Sequence, residues 1–168
     1  MSNIEIAQIS QQELESKTKQ AFKKIGKSVC ILSCYSHGQR HASISSAVCN
    51  VSNSPPSLLV CIEKTASLAT LLIEDTCFGV NVLAADQQAT LDHCMHHKGE
   101  QRFGHGEWSS NTDQPPLLAA SQANFCCRVA QINRFETHLI IVALIEQSYS
   151  TDETNGLIYL GGKFHLID

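Results

Sequence analysis

Apolar positions along this chain fall into a few helical stretches and many short runs of period two. Leu14, Ala21, Phe22 and Ile25 recur at helical spacing behind the capping-box pattern Ser10-Gln11-Gln12-Glu13, which predicts a helix over 10–25 that stops at Gly26. Residues 29–35 then read as a strand, His37-Gly38 as a turn, and 42–51 as a second strand, together a hairpin. Asn53-Ser54 and the rigid pair Pro55-Pro56 break the run before it resumes as the apolar strand 57–62. A polar turn over 63–67 follows, and Ser67 is placed to cap a short helix over 68–73. Further on come a strand at 77–83, a polar helix at 86–97 and a loop at 98–116 carrying Gly99, Gly104, Gly106 and Pro115-Pro116. Two long strands, 124–132 and 138–148, turn at Arg134-Phe135-Glu136, and a polar loop at 151–155 leads to a last strand at 157–160.

Many strands with few helices between them, and no strict βαβ alternation, predict a mainly β fold: an antiparallel, Greek-key-like barrel carrying helices. A Rossmann sheet is the weaker reading, since the glycines never take G-x-G-x-x-G spacing. Gly26-Lys27-Ser28 imitates the end of a P-loop. It follows a helix rather than a strand and has Ala21 where the first glycine belongs, so that reading is rejected.

Composition narrows the function. At 168 residues the chain is expected to form one domain over 1–168, with 1–9 a flexible N-terminal segment. A net charge of −4 without any basic run disfavours nucleic acid as a partner. The N-terminus is polar, without the apolar core of a signal peptide, and no run is long and apolar enough for a membrane span; a cytoplasmic location is expected. Seven of the eight cysteines, among them Cys30, Cys34 and Cys127, sit in apolar strand-like runs, where reduced core thiols are expected.

The chemistry concentrates in residues 45–67. Small side chains at Ser45, Ser46 and Ala47, with Val48 and Cys49 following, leave the backbone approachable by a flat ligand. The turn Glu63-Lys64-Thr65-Ala66-Ser67 offers hydroxyls, an ammonium and free N–H groups that suit a phosphate. A planar ring at one end and a phosphate at the other describe a flavin nucleotide. Asn81, alone on an apolar strand, must find buried partners, in a cofactor or in its own scaffold. The cluster Asp92-His93-Cys94-Met95-His96-His97 places His93 and His97 on one helix face, but no second pair of ligands completes a metal site, and none is expected.

The run from Ala47 through Asn53-Ser54-Pro55-Pro56 to Ile62 resembles the core motif of flavin reductases of the FMN-binding split-barrel family. Cys77-Phe78-Gly79-Val80-Asn81, Thr137-His138-Leu139, and Gly156-Leu157-Ile158-Tyr159 with Phe164-His165 occur in the same order as in that family. Within it, the wording is most similar to the small reductase component of two-component 4-hydroxyphenylacetate 3-monooxygenases.

The resemblance implies a split β-barrel that takes a hydride from NADH or NADPH and passes it to FMN or FAD. It also implies a homodimer, and reduced flavin that diffuses to a large oxygenase component. It puts His138 at the nicotinamide, although Glu136-Thr137 stand here in place of the family's Gly-Asp. Ser45 to Cys49 border the flavin ring, with Ile44 and Ser45 where relatives commonly have Thr and Ala. Glu63, Lys64, Thr65 and Ser67 take the ribityl phosphate end, Arg102 and Lys163 meet phosphates, and Phe103, Phe164 and His165 complete the cofactor contacts. The same barrel used as a non-catalytic FMN-binding sensor remains the alternative.

Overall fold

The computed structural model describes residues 9–152 and 154–167; all but Ile9 of the expected flexible segment lies outside them. Helix α1 (Gln11–Phe22) starts where the capping box directs, with the Ser10 hydroxyl accepting from the Glu13 N–H at 3.2 Å. None of its residues is buried. The strands are β1 (Lys27–Ser28), β2 (Cys30–Ser36), β3 (Gln39–Ser45), β4 (Val48–Asn53), β5 (Pro56–Glu63), β6 (Cys77–Val82), β7 (Ala123–Phe135), β8 (His138–Ser150), β9 (Gly156–Leu160) and β10 (Lys163–Ile167). Helix α2 (Gln88–His96) follows a 3₁₀ turn at Ala85–Gln87 and precedes another at Gly99–Phe103.

Seven strands form one antiparallel sheet in the order β3-β2-β6-β7-β8-β5-β4, and β1-β9-β10 form a small second sheet. The edge strands β3 and β4 are consecutive in the chain, so the sheet must curl to bring its edges together. Ser46 and Ala47 make the join. There the Cys61 N–H donates to the Ala47 carbonyl at 2.9 Å, and the Ser45 hydroxyl donates to the Cys61 carbonyl at 3.3 Å. No ladder joins β3 to β4 among the described residues, which leaves the barrel split along that seam. The expected single strand over 42–51 is therefore two strands. Small residues continue through its middle, so nothing in the hydrophobic pattern marks the bend.

Period-two alternation explains the core. On β2, Cys30, Leu32 and Cys34 point into the barrel with Val60, Ile62, Phe78, Val80, Ile141 and Ala143. Ile31, on the other face, joins Val29, Leu83, Leu91, Cys94 and Leu157 beneath α2. A strand buried on both faces reads as a continuous apolar run, and this one lies next to the sheet edge because α2 covers it.

All eight cysteines are free. Burial pushes the thiols of Cys30 and Cys127 up to about 12 and that of Cys34 up to about 11. The folded chain keeps these protons above pH 9, where the unfolded chain releases them. Their stabilising effect is complete below pH 9 and is lost as the pH rises further. Native protein at pH 8 is expected to expose Cys49 to a thiol reagent, because its side chain is on the surface. Cys30, Cys34 and Cys127 should react about a hundredfold more slowly or less until urea unfolds the chain. Equal labelling rates for all four, read by mass spectrometry, would contradict this packing.

Candidate functional site

The turn after β5 is organised by tertiary contacts rather than by a helix. Its Ala66 N–H donates to the Glu63 carbonyl, and the Lys64 N–H crosses to the Thr137 carbonyl, each at 2.9 Å. Leu68 and Leu72 are buried in the barrel core, and residues 68–71 form successive turns. The helix expected over 68–73 is absent, and Ser67 is not its cap. The Ser67 hydroxyl instead donates to the Ala42 carbonyl on β3 at 3.1 Å and lies 3.2 Å from the Ser43 hydroxyl. Local capping lost to a partner distant in sequence, and the turn is fastened to β3 as a result.

Between this turn and α2 lies a cleft of about 530 Å³. Ser43 and Ile44 form its floor, Thr65 to Ser67 one wall, and Met95, Lys98, Gly99 and Arg102 the other. Arg102 ties its wall to the strand beneath: its Nε donates to the His97 carbonyl at 3.0 Å and its Nη1 to the Ala42 carbonyl on β3 at 2.6 Å. Ser67 and Arg102 thus share one backbone acceptor. Among the described residues no carboxylate lines the cleft. In a chain of net charge −4, two cations without an acid among them make a site for an anion.

The small-residue segment continues from the cleft floor along the seam. Ser45 is buried, its hydroxyl accepting the Ala47 N–H at 3.1 Å, while Ser46, Ala47 and Val48 are half-buried and Cys49 is exposed. The segment's own N–H groups are thus partly committed to holding the bend. Glu63 pairs with His138 in the β5–β8 ladder, which sets the exposed imidazole beside the turn. The His138 Nδ1 lies 2.9 Å from the Thr137 hydroxyl, and Thr65 donates to the Glu63 carboxylate at 3.4 Å.

Other expected site residues lie apart from the cleft. Lys64 turns away from Thr65 and Ser67, donating to the Glu136 carbonyl, and lines a second cleft of about 610 Å³ with Arg134 and Glu74. Phe103 is buried under α2, edge-on to Trp108 with ring centroids 4.8 Å apart and Arg40 over its face. It is a core residue rather than a cofactor contact. Asn81 is also scaffold. Its Nδ2 donates to the Ile31 carbonyl and its Oδ1 accepts the Leu118 N–H and Asn124 Nδ2, all within 2.9 Å, so no polar atom is left for a ligand. Phe164 packs on Tyr159 with centroids 5.4 Å apart, and the His165 Nε2 donates to the Leu160 carbonyl, both in the β9–β10 hairpin. Lys163 opens the same hairpin.

The histidine cluster closes the far end of α2. Nitrogens of His93, His96 and His97 meet the carbonyls of Gln101, Asp92 and His93 at 2.7–2.9 Å. Carbonyls only accept, so each of those nitrogens carries the proton and is spent on the backbone. Among the described residues no group of three potential ligands could hold a metal ion. Ser43, Met95, Lys98 and Gly99 are the lining residues that sequence reasoning missed. No local signal marks them, because only the folding of α2 against β3 brings them to the turn.

A split antiparallel barrel with a cationic cleft beside a small-residue seam is the arrangement that the resemblance to FMN-binding split barrels implied. The profile of the flavin reductase like domain matches residues 22–168, and the chain belongs to that family. It is 33% identical over 149 residues to an NADH-dependent FMN reductase, RutF, of Pantoea ananatis, covering 88% of this chain and 78% of that one. In structure it is similar to BorF, the flavin reductase component of a bacterial two-component tryptophan halogenase, with TM-score 0.81 and 25% identity over 91% of this chain and 98% of that one. A Streptomyces globisporus NADH:FAD oxidoreductase, solved with NAD and FAD fragments, shares the fold at TM-score 0.82 and 22% identity, over 95% and 96% of the two chains.

Proposed function

We propose that this flavin reductase takes a hydride from NADH or NADPH, delivers it to FMN or FAD held reversibly in the cleft, and releases reduced flavin to a separate oxygenase. The observation that carries the site is the acid-free cleft between the 65–67 turn and Arg102, contiguous with the small-residue segment 45–48. Its donors fit a flavin phosphate: the Lys98 ammonium and the guanidinium of Arg102. Bound flavin supplies the accepting ring, so that reduced nicotinamide, flavin and one solvent proton give oxidised nicotinamide and dihydroflavin.

The protein's contribution is placement and exclusion of water, for which a general acid–base pair is unnecessary. Ser45 to Val48 let the backbone reach the ring, while Ser67 and Arg102 hold the wall of the cleft. His138, beside Glu63, is the contact for the nicotinamide. The motif resemblance supports a partner among oxygenases of the 4-hydroxyphenylacetate 3-monooxygenase type, and the assembly that goes with this reading is a cytoplasmic homodimer of single-domain chains. No described helix is long and apolar enough to cross a membrane.

Absorbance of the reduced nicotinamide, followed in air with purified protein and FMN, FAD or riboflavin, tests the reading. Oxidation is expected to require added flavin and to saturate with it. Flavin that stays bound while NADH and NADPH persist would make the chain a binding module instead. Addition of a 4-hydroxyphenylacetate oxygenase component, with product formation read by chromatography, tests the partner.

A further inference from the structure

We infer that Lys98 is the residue that selects phosphorylated flavins over riboflavin, an inference that rests on the reading of the Thr65-to-Arg102 cleft as the flavin phosphate site. The polar groups around that cleft are unequally available. The Ser67 hydroxyl is committed to the Ala42 carbonyl, and that of Thr65 donates to the Glu63 carboxylate. Arg102 spends its Nε and Nη1 on the carbonyls of His97 and Ala42, which fixes its plane and leaves Nη2 as its nitrogen without a hydrogen bond among the described residues. Lys98 differs. Among the described residues its exposed ammonium makes no hydrogen bond or ion pair, and it belongs to the cleft wall.

A phosphate monoester carries about −1.5 to −2 charges, more than one partly engaged guanidinium neutralises. The second cation has to come from a side chain that can move to it, and Lys98 on its flexible stem is placed for that. Position supports the same conclusion. Lys98 follows the end of α2 and precedes Gly99, whose φ of +56° turns the chain back toward Arg102. The His97 and His93 carbonyls, which would otherwise present negative charge near the cleft, are covered by Arg102 and by the His97 ring. Two other cation-bearing clefts contain an acid: Glu74 shares one with Lys64 and Arg134, and Glu100 shares another with Arg40, to which it is paired. A flavin that carries phosphate gains from an ammonium here. Riboflavin, ending in a hydroxyl, does not.

The test is equilibrium titration of the full chain with FMN and with riboflavin, read by quenching of flavin fluorescence, for the wild type, Lys98→Met and Lys98→Arg. The wild type is expected to favour FMN by tenfold or more. Lys98→Met should weaken FMN about tenfold and leave riboflavin where it was, and Lys98→Arg should restore most of the preference. The wild-type and Lys98→Arg preferences should also shrink with added salt, more than that of Lys98→Met. A Lys98→Met protein that keeps the wild-type preference overturns the role of Lys98 and leaves the cleft assignment standing. Equal weakening of both flavins also overturns it, since it marks a residue that only supports the loop. A wild type that binds FMN and riboflavin equally overturns the phosphate cleft and the inference together.

Discussion

Asn81→Leu is expected to lower the stability of this protein by about 4 kcal/mol, or roughly 12 °C in Tm for a chain of this size. Asn81 is fully buried and spans three elements. Its Nδ2 donates to the Ile31 carbonyl on β2 and to the Ser33 hydroxyl, and its Oδ1 accepts from the Leu118 N–H and from Asn124 on β7. Leucine has similar volume but pairs with none of these, so the cost is the desolvation of backbone groups left without partners rather than a cavity. Asn124 keeps a second acceptor in the Leu118 carbonyl, and the Ser33 hydroxyl still donates to Pro116, which limits the loss. Urea unfolding followed by far-UV circular dichroism measures the change. Folded variant, held at low temperature, should bind FMN like the wild type. Lost flavin affinity with unchanged stability would return Asn81 to the site.

That residue also shows how far the sequence could be read. A lone amide on an apolar strand announces buried partners, but chain order does not say whether they belong to a ligand or to the loop at Leu118. The strands were legible because β-branched and apolar residues alternate between turns with specific chemistry, such as His37-Gly38, where both residues have positive φ. β10 was not. Its five residues, Lys163–Ile167, are mostly exposed, and only pairing with β9 makes them a strand. Residues 68–73 were misread for the opposite reason. Ser67 ahead of Leu68 has the local form of a cap, and a hydrogen bond to Ala42 across the seam overrides it. The candidate site was visible in one wall, the 63–67 turn, because its residues are contiguous, and in Arg102 of the other, which the resemblance implied. The rest of that other wall, at Met95, Lys98 and Gly99, consists of residues whose types are ordinary on any helix end. Lys64 and Thr65 are neighbours in sequence yet serve opposite clefts, a division that follows from the backbone bond between Lys64 and Thr137.

Arg102→Met should weaken FMN binding about a hundredfold, which corresponds to about 3 kcal/mol. Part of the loss is charge. An equal part is geometry, since among the described residues the guanidinium is the one side chain bonded to both the end of α2 and β3, through His97 and Ala42. Without it the Ala42 carbonyl keeps Ser67 alone, and the segment carrying Lys98 and Gly99 loses its tie to the sheet. Arg102→Lys separates the two contributions. An ammonium restores the positive charge but cannot reach two carbonyls and a phosphate with the fixed fork that arginine presents, so it should recover only about tenfold of the lost affinity. Riboflavin affinity should fall less than FMN affinity in both variants, with fluorescence quenching as the readout and circular dichroism to verify the fold. Full recovery in Arg102→Lys would reduce the residue to a point charge. Wild-type FMN affinity in Arg102→Met would remove it, and with it the cleft, from the flavin site.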